Sequence, residues 1–152
     1  MRLKDREISD VPAIKAIIKK AEICRLGVIN ENTPYVIPLC FGYHDNTLFF
    51  HSALKGLKID CIRKTPKVCF EFDINTEIKE SENGCDWGMI YQSVIGFGRA
   101  KFIEDPNEKR NALGIIMAHY SNEQFDFPEH KVKATAVIKV EIESMTGKQA
   151  GF

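Results

Sequence analysis

The sequence predicts a mainly β protein of the α+β class, built as a small barrel of six antiparallel strands with flanking helices. Three observations lead to this prediction. Short runs rich in β-branched and aromatic residues dominate the chain after residue 24 and are joined by turn-forming segments. Most strand runs follow one another directly, with one helix between the third and the fourth, which does not fit repeated βαβ units. Glycines interrupt the fifth run, as they do at barrel corners.

Composition sets the class of protein. The 152 residues are enough for one domain, 1–152, and 21 basic residues balance 21 acidic ones. No overall charge therefore steers the chain toward nucleic acid or a membrane surface, and the near-zero net charge favours self-association. Five cysteines without a C-x-x-C pair and the absence of a signal peptide or an apolar span predict a cytoplasmic protein without disulfides.

The first elements follow from periodicity. Residues 9–21 predict a helix with Ser9 as N-cap and Pro12 in the first turn. The next three strand runs predict an antiparallel meander. A short helix follows them; it ends before Pro66, and Leu57 and Cys61 lie on one of its faces. The fourth strand run comes after this helix. The four strand runs are 24–29, 35–44, 47–53 and 67–74.

The second half of the chain also alternates between predicted strands and helices. "SENGCDWG" predicts a loop, and residues 89–104 predict a long strand that bends at Gly96 or Gly98. "DPNE" is a capping box that opens a helix over 105–121, "NEQFDFPEH" is irregular, and 136–147 alternate as a final strand. The apolar face of that third helix is predicted to be Leu113, Ile116, Met117 and Tyr120.

The stretch "HSALKGLK", residues 51–58, indicates an anion site. It places His51 and Ser52 at a strand end, directly before a helix start that carries two lysines. The free N–H groups and the dipole of a helix N-terminus favour a phosphate there. Two nucleotide-binding motifs are excluded: "GFGRAK" has Lys101 where a dinucleotide fingerprint needs glycine, and "TGK" lacks the rest of a P-loop. The four histidines are not at metal-ligand spacing, so no metal is expected.

Several spaced blocks carry a family resemblance. Residues 27–73, then "YQSVIGFGRAKFIED", then "MTGK" resemble the FMN-binding split-barrel proteins related to pyridoxamine 5′-phosphate oxidase, and among them the nitroimidazole-resistance, or nitroimidazole reductase, proteins. The resemblance implies a homodimer with FMN in two grooves between the subunits. It also implies reduction of a small electron-poor substrate, with NAD(P)H or another electron donor. The chain lacks the C-terminal Trp and Arg pattern of the oxidases, which argues against vitamin B6 oxidation.

The resemblance also implies roles for single residues. Ser52 and Lys58 match the residues that hold the FMN phosphate, with backbone N–H groups near Ala53. His51 matches a histidine beside the flavin that is thought to take part in catalysis. The strand that passes the flavin ring matches Ile37, Pro38 and Leu39, and the residues that reach the flavin of the partner subunit match Tyr91 and Ser93.

Each role has a simpler alternative. Lys58 could be a solvated lysine, Ser52 a helix cap, and His51 a hydrogen-bonded, half-buried histidine. Tyr91 and Ser93 could face solvent or a dimer contact, and Trp87 could anchor a partner or line the substrate pocket. Two rival functions also stay open: a non-enzymatic flavin-binding stress-response module, and a haem-binding split barrel with His51 as axial ligand.

Overall fold

A computed structural model describes residues 4–152. Within that range the chain forms eight strands, four α-helices and two short 3₁₀ turns. The strands are β1 (Glu7–Ile8), β2 (Cys24–Asn30), β3 (Thr33–Leu39), β4 (Gly42–His44), β5 (Thr47–Ala53), β6 (Lys67–Lys79), β7 (Gly88–Ile103) and β8 (Thr135–Ala150). The helices are α1 (Val11–Lys20), α2 (Leu57–Lys64), α3 (Pro106–Tyr120) and α4 (Glu129–Lys133).

The strands form one antiparallel sheet that curls into a split barrel. Its order is β3-β2-β6-β7-β8-β5-β4, with β1 added beside β8. The two ends of this order, β3 and β4, are joined through Cys40 and Phe41 alone, a path of at most about 11 Å. The sheet must therefore bend back on itself, and the barrel stays open between β3 and β4. The predicted fold class is confirmed.

Two details of the predicted strands are wrong. The run 35–44 is two strands, not one, and β3 pairs with β2 whereas β4 pairs with β5, so the meander breaks at this point. The cause is Phe41, which is fully buried and packs its ring 4.8 Å from Phe72 and 4.3 Å from His119. An apolar residue at such a corner looks like one more strand residue in the sequence. With the two-residue β1, the count rises from six strands to eight.

The barrel interior is filled by its own side chains, as predicted. Alternate residues of the strands point inward, because side chains alternate between the two faces of a sheet. The largest fully buried side chains include four phenylalanines, of which three come from β5 and β6. These inward residues are Leu26, Val28, Leu48, Phe50, Val68, Phe70, Phe72, Val94, Ile138 and Val140.

The predicted helices are confirmed, with two corrections. The N-cap of α1 is Asp10 and not Ser9, since the Asp10 carboxylate accepts the N–H of Ala13 at 2.9 Å. Leu57 in α2 is exposed, and the buried face is Ile59, Cys61 and Ile62. The helix starts one residue after Gly56, which turns Leu57 away from the core.

The helices α3 and α4 agree only in part with the prediction from sequence. The Asp105 carboxylate caps α3 by accepting the N–H groups of Asn107 and Glu108. The buried face of α3 is Lys109, Ala112 and Ile116, so of the four predicted face residues only Ile116 is fully buried. The five-residue α4 lies in a region predicted to be irregular, and it is too short to show a helical period.

The glycine corner in β7 is confirmed. The register between β7 and β8 shifts between Phe97 and Gly98. At Gly96 the backbone of β8 comes so close that an added Cβ would lie 2.7 Å from the carbonyl oxygen of Ser144. Glycine is needed here for space, and the strand bends where the sequence predicted.

The β6–β7 hairpin extends beyond the barrel. A register shift between Ile74 and Glu77, with Asn75 at φ 55°, separates its tip from the rest of the sheet. Beyond this bulge, β6 has only β7 as a partner, and β7 pairs with β8 no further than Tyr91. We call residues 77–90 the arm. The sequence predicted the loop at its tip but not the strand extension.

Candidate functional site

The start of α2 offers free hydrogen-bond donors. Gly56 precedes the helix at φ 135°, a conformation that favours glycine, and no side chain caps the helix. The first N–H groups of an uncapped helix have no intrahelical acceptor and carry a partial positive charge. Ser52 does not cap α2, so this alternative for Ser52 is not what the structure shows.

Lys58 is a half-buried cation without a counter-charge. Partial burial lowers its pKa from the ordinary lysine value, because desolvation disfavours the ammonium form. No hydrogen bond or ion pair engages Lys58 among residues 4–152, whereas Lys101 contacts Glu141 at 2.6 Å. The nearby Arg63 lies over the ring of Phe102, 5.4 Å from its centroid. Lys58 is thus the half-buried cation of α2, whose charge an anion bound at the helix start would neutralise.

His51 and Ser52 lie on opposite faces of β5. Ser52 follows the inward parity of Phe50 and is half-buried, while His51 points outward and is exposed. No hydrogen bond holds His51 within the described chain, so it is not the hydrogen-bonded histidine of the simpler alternative. Ala53, also exposed, ends the strand opposite Thr135.

A small apolar cavity lies beside His51. It has a volume of about 210 Å³ and is formed between β5, α3 and α4. Only His51, Lys131 and Thr135 supply polar groups to it. An engineered cavity of roughly 150 Å³ accepts a benzene ring, so this one is large enough for a single ring with small substituents. The apolar lining is Leu113, Ile116, Met117, Phe127 and Val132.

The strand predicted to pass a flavin ring is a sheet edge. β3 pairs with β2 on one side only, so alternate backbone groups on its other side are free. Ile37 and Leu39 pack against the core, while Pro38 is exposed opposite Arg25. Residues 37–39 therefore offer free backbone polar groups, of which Pro38 supplies only a carbonyl, more than an apolar side-chain wall. α2 packs on β2, the strand that pairs with β3.

Three hydrogen bonds from two α3 side chains hold this edge in place. The hydroxyl of Tyr120 accepts the N–H of Phe41 at 3.0 Å and donates to the carbonyl oxygen of Glu22 at 2.8 Å. The ring of His119 packs on Phe41, and its Nε2 lies 2.7 Å from the carbonyl oxygen of Ala21. The end of β3 is thereby fixed to α3 and to the start of β2. Nothing in the local sequence indicated this role for Tyr120.

Tyr91 and Ser93 lie at the other end of the sheet. Both are half-buried and share one face of β7. Lys148 pairs across the sheet with Ser93, and its Nζ lies 5.6 Å from the Tyr91 ring centroid. Ser52 pairs with Ala136 at the opposite end of β8. From Ala136 to Lys148, the strand has a contour of roughly 40 Å.

An apolar groove on the outer sheet face was not predicted. It has a volume of about 650 Å³ and lies over β2, β3, β6 and β7. Its charged border is formed by Arg25 with Glu71, at 3.0 Å, and with Asp73. Burial raises the pKa of Glu71, although the Arg25 guanidinium opposes that shift. The sequence signal was the alternation in β7, where Ile95 and Phe97 share a face with Tyr91. Its apolar lining includes Ile29, Pro34, Val36, Cys69 and Phe97.

Neither a metal cluster nor a membrane-spanning helix occurs in the described part of the chain. Within residues 4–152, no three His, Cys, Asp or Glu side chains are grouped so that they could hold a metal ion. The helices of that range are all too short or too polar to cross a membrane.

The comparisons with known proteins agree with the geometry. The model of a family described as pyridoxamine 5′-phosphate oxidase matches residues 10–149. A proposed 5-nitroimidazole antibiotic resistance protein from Bacteroides thetaiotaomicron is 38% identical, with a TM-score of 0.85 over 93% of this chain and 85% of that chain. No curated protein matches the chain.

Two more distant structures share the fold alone. The flavocytochrome Anf3 from Azotobacter vinelandii is 18% identical with a TM-score of 0.88, over 100% of this chain and 72% of that chain. An FAD- and haem-binding protein from Mycobacterium smegmatis is 12% identical with a TM-score of 0.87, over 97% and 74%. With the family match over nearly its whole length, the chain belongs to the pyridoxamine 5′-phosphate oxidase family of split-barrel proteins.

Proposed function

We propose that the protein is a cytoplasmic, homodimeric flavoprotein that holds FMN between two copies and reduces a small electron-poor substrate, such as a nitroaromatic compound. NAD(P)H or another donor supplies the electrons. The observation that carries the proposal is Lys58, half-buried and without a counter-charge beside the open N-terminus of α2. The 38% identity to a proposed nitroimidazole-resistance protein supports the choice of substrate class.

The phosphate end fits FMN. A terminal phosphate carries about −1.5 to −2 charges and accepts several hydrogen bonds. The ammonium of Lys58, the first N–H groups of α2 and the hydroxyl of Ser52 are the donors at this end of the barrel. In this proposal, the free backbone edge of residues 37–39 faces the polar rim of the ring system. A bound flavin supplies electron and hydride transfer, while the protein positions and shields it.

A second copy supplies the rest of the site. Ser52 and Ser93 lie beside opposite ends of β8, paired with Ala136 and Lys148. In this proposal the two serines of one chain therefore contact different flavins. Two copies related by two-fold symmetry would place Tyr91 and Ser93 of each beside Lys58 of the other. The exposed apolar groove on the outer face is suited to such a contact, because burying apolar surface drives association.

His51 and its cavity suggest where the substrate binds. The apolar lining suits a single ring, and Lys131 and His51 at the polar side suit an oxygen substituent. An imidazolium N–H of His51 would donate a proton to that oxygen as the substrate is reduced.

The proposal is tested by the visible absorption spectrum of the purified protein after addition of FMN and desalting. Flavin bands near one equivalent per chain are expected, with bleaching by NAD(P)H or dithionite and recovery on adding a nitroaromatic compound. Retained flavin without recovery would favour the binding module. A Soret band that is lost in His51→Ala would favour the haem-binding function, and a colourless protein would overturn the phosphate site.

FMN affinity should fall at alkaline pH. The lowered pKa of Lys58 means that it loses its proton earlier than an ordinary lysine, and the phosphate then loses its cation. Anion binding favours the ammonium, so FMN binding is coupled to proton uptake in this range. Titrations followed by flavin fluorescence between neutral pH and pH about 10.5 would measure the decline. Lys58→Arg should remove it, because arginine stays charged; an unchanged decline in that variant would assign it to another group.

A further inference from the structure

The arm carries apolar side chains that nothing covers in the described chain. Ile78, Trp87 and Met89 are 59%, 51% and 50% exposed. An isolated two-stranded hairpin is at best marginally stable in water, and large exposed apolar residues on it are a further cost. The indole Nε1–H of Trp87 donates to the carbonyl oxygen of Ser81 at 2.6 Å, so the ring is held in place.

The arm continues an apolar stripe along β7. Odd-numbered residues of this strand share the outer face, so the stripe runs from Phe97 in the large groove through Ile95 to Tyr91 and Met89 near the tip, and the polar Ser93 is its one interruption. Ile95 and Phe97 are also close to half exposed. The groove and the arm therefore form one continuous surface.

Several charges beside the groove end of this stripe pair with each other within the chain. Arg25 bonds Glu71 and Asp73, Arg99 bonds Glu143 at 3.0 Å, and Lys101 bonds Glu141. A surface bordered by self-paired ions does not need a partner of opposite charge. It suits contact with an identical surface, which is what a two-fold dimer requires.

We propose that the arm reaches across to a second copy of this chain, and that Trp87 forms a wall of the flavin pocket of that copy. This inference rests on the proposed function, in which Tyr91 and Ser93 contact the partner's flavin. Trp87 lies four residues beyond Tyr91, roughly 13 Å further along the arm. That length places the indole past the residues at the flavin, where it covers the pocket from outside.

Mixed dimers test whether Trp87 acts across the interface. Trp87→Ala alone is expected to bind FMN about tenfold more weakly and to leave the flavin open to iodide quenching, because an aromatic wall is lost. A dimer of one Lys58→Ala chain and one Trp87→Ala chain is purified with two different tags. Its one phosphate-competent site lies in the Trp87→Ala chain and is covered by Trp87 of the Lys58→Ala chain. The flavin there should be as protected from iodide as in the wild type.

The other outcomes overturn the proposal. If the mixed dimer shows the iodide access of Trp87→Ala, Trp87 acts within its own chain. If Trp87→Ala shields its flavin like the wild type, Trp87 is no wall of the pocket. Phe152→Ala removes another exposed aromatic ring and should change neither the FMN affinity nor the iodide quenching of the flavin. Trp87→Phe should restore most of the protection.

A second readout needs no flavin. Trp87 is the only tryptophan, so its emission reports the arm alone. In the dimer, acrylamide should quench it poorly, and Phe97→Glu, which places a charge in the groove, should yield a monomer with a red-shifted, easily quenched emission. Equal quenching in monomer and dimer would refute the docked arm. Loss of FMN binding in the wild type, with Trp87 shielded only in the dimer, would instead refute the proposed function while keeping the docked arm.

Discussion

Replacing Lys58 by alanine is expected to weaken FMN binding roughly 10- to 150-fold, the range for losing a hydrogen bond to a charged group. The loss should be large because Lys58 is half-buried, so water screens its attraction for the phosphate less than at an exposed site. The fold should not change, since Lys58 makes no bond to the rest of the described chain. Isothermal titration with FMN would measure the loss, and gel filtration would check that the dimer is kept.

Lys55→Ala is the matched control. Lys55 lies three residues away, in the loop that precedes α2, carries the same charge and is exposed. Its removal should change FMN binding by less than about fivefold, because screened surface charges contribute at most ~1 kcal/mol. If both variants lose affinity equally, the site is a general basic patch. If neither does, Lys58 does not hold the phosphate.

Gly96→Ala should lower the free energy of unfolding by about 1–3 kcal/mol, the usual cost of overpacking. The added Cβ would overlap the ring of Phe70 and lie 2.7 Å from the carbonyl oxygen of Ser144. Phe70 is fully buried and cannot move away without disturbing the core. Urea unfolding followed by far-UV circular dichroism would measure the change, and thermal melts should drop by roughly 2–4 °C per kcal/mol.

Gly114→Ala is the opposite case. Gly114 lies inside α3 with nothing within 4 Å of an added Cβ. Alanine should therefore raise stability by about 0.5–1 kcal/mol, since glycine costs more conformational entropy in a helix. A similar change of stability in both variants would contradict the close approach of β8 at Gly96.

The sequence predicted the positions of the helices and strands better than it predicted which strands pair with each other. The core strands, all three longer helices and the bend near Gly98 lie where periodicity and turn residues predicted them. The split of residues 35–44 was missed, because Phe41 satisfies a strand pattern while its ring turns into the core. The strand extension into the arm was missed too, since residues 75–79 are polar apart from Ile78 and no local pattern distinguishes an unsupported hairpin from a loop.

The candidate site shows the same division. The pairing of a strand end, a glycine and two lysines in "HSALKGLK" is enough to indicate an anion site, because that pattern is local. Which lysine is half-buried and unpaired, Lys58 rather than Lys55, depends on how α2 packs on β2. That His51 faces a cavity under α3 and α4 depends on helices more than 50 residues later in the chain.

By itself the sequence determined the mainly β class, the positions of the three longer helices and the phosphate-type motif, because all three depend on residues within a turn or two of one another. Only the tertiary structure decided the barrel's split between β3 and β4, the exposed groove with its apolar stripe, and the separation of Ser52 from Ser93 along β8. The physical reason is that burial and strand pairing join residues far apart in the chain. Local propensity contains no information about which of those distant surfaces will meet.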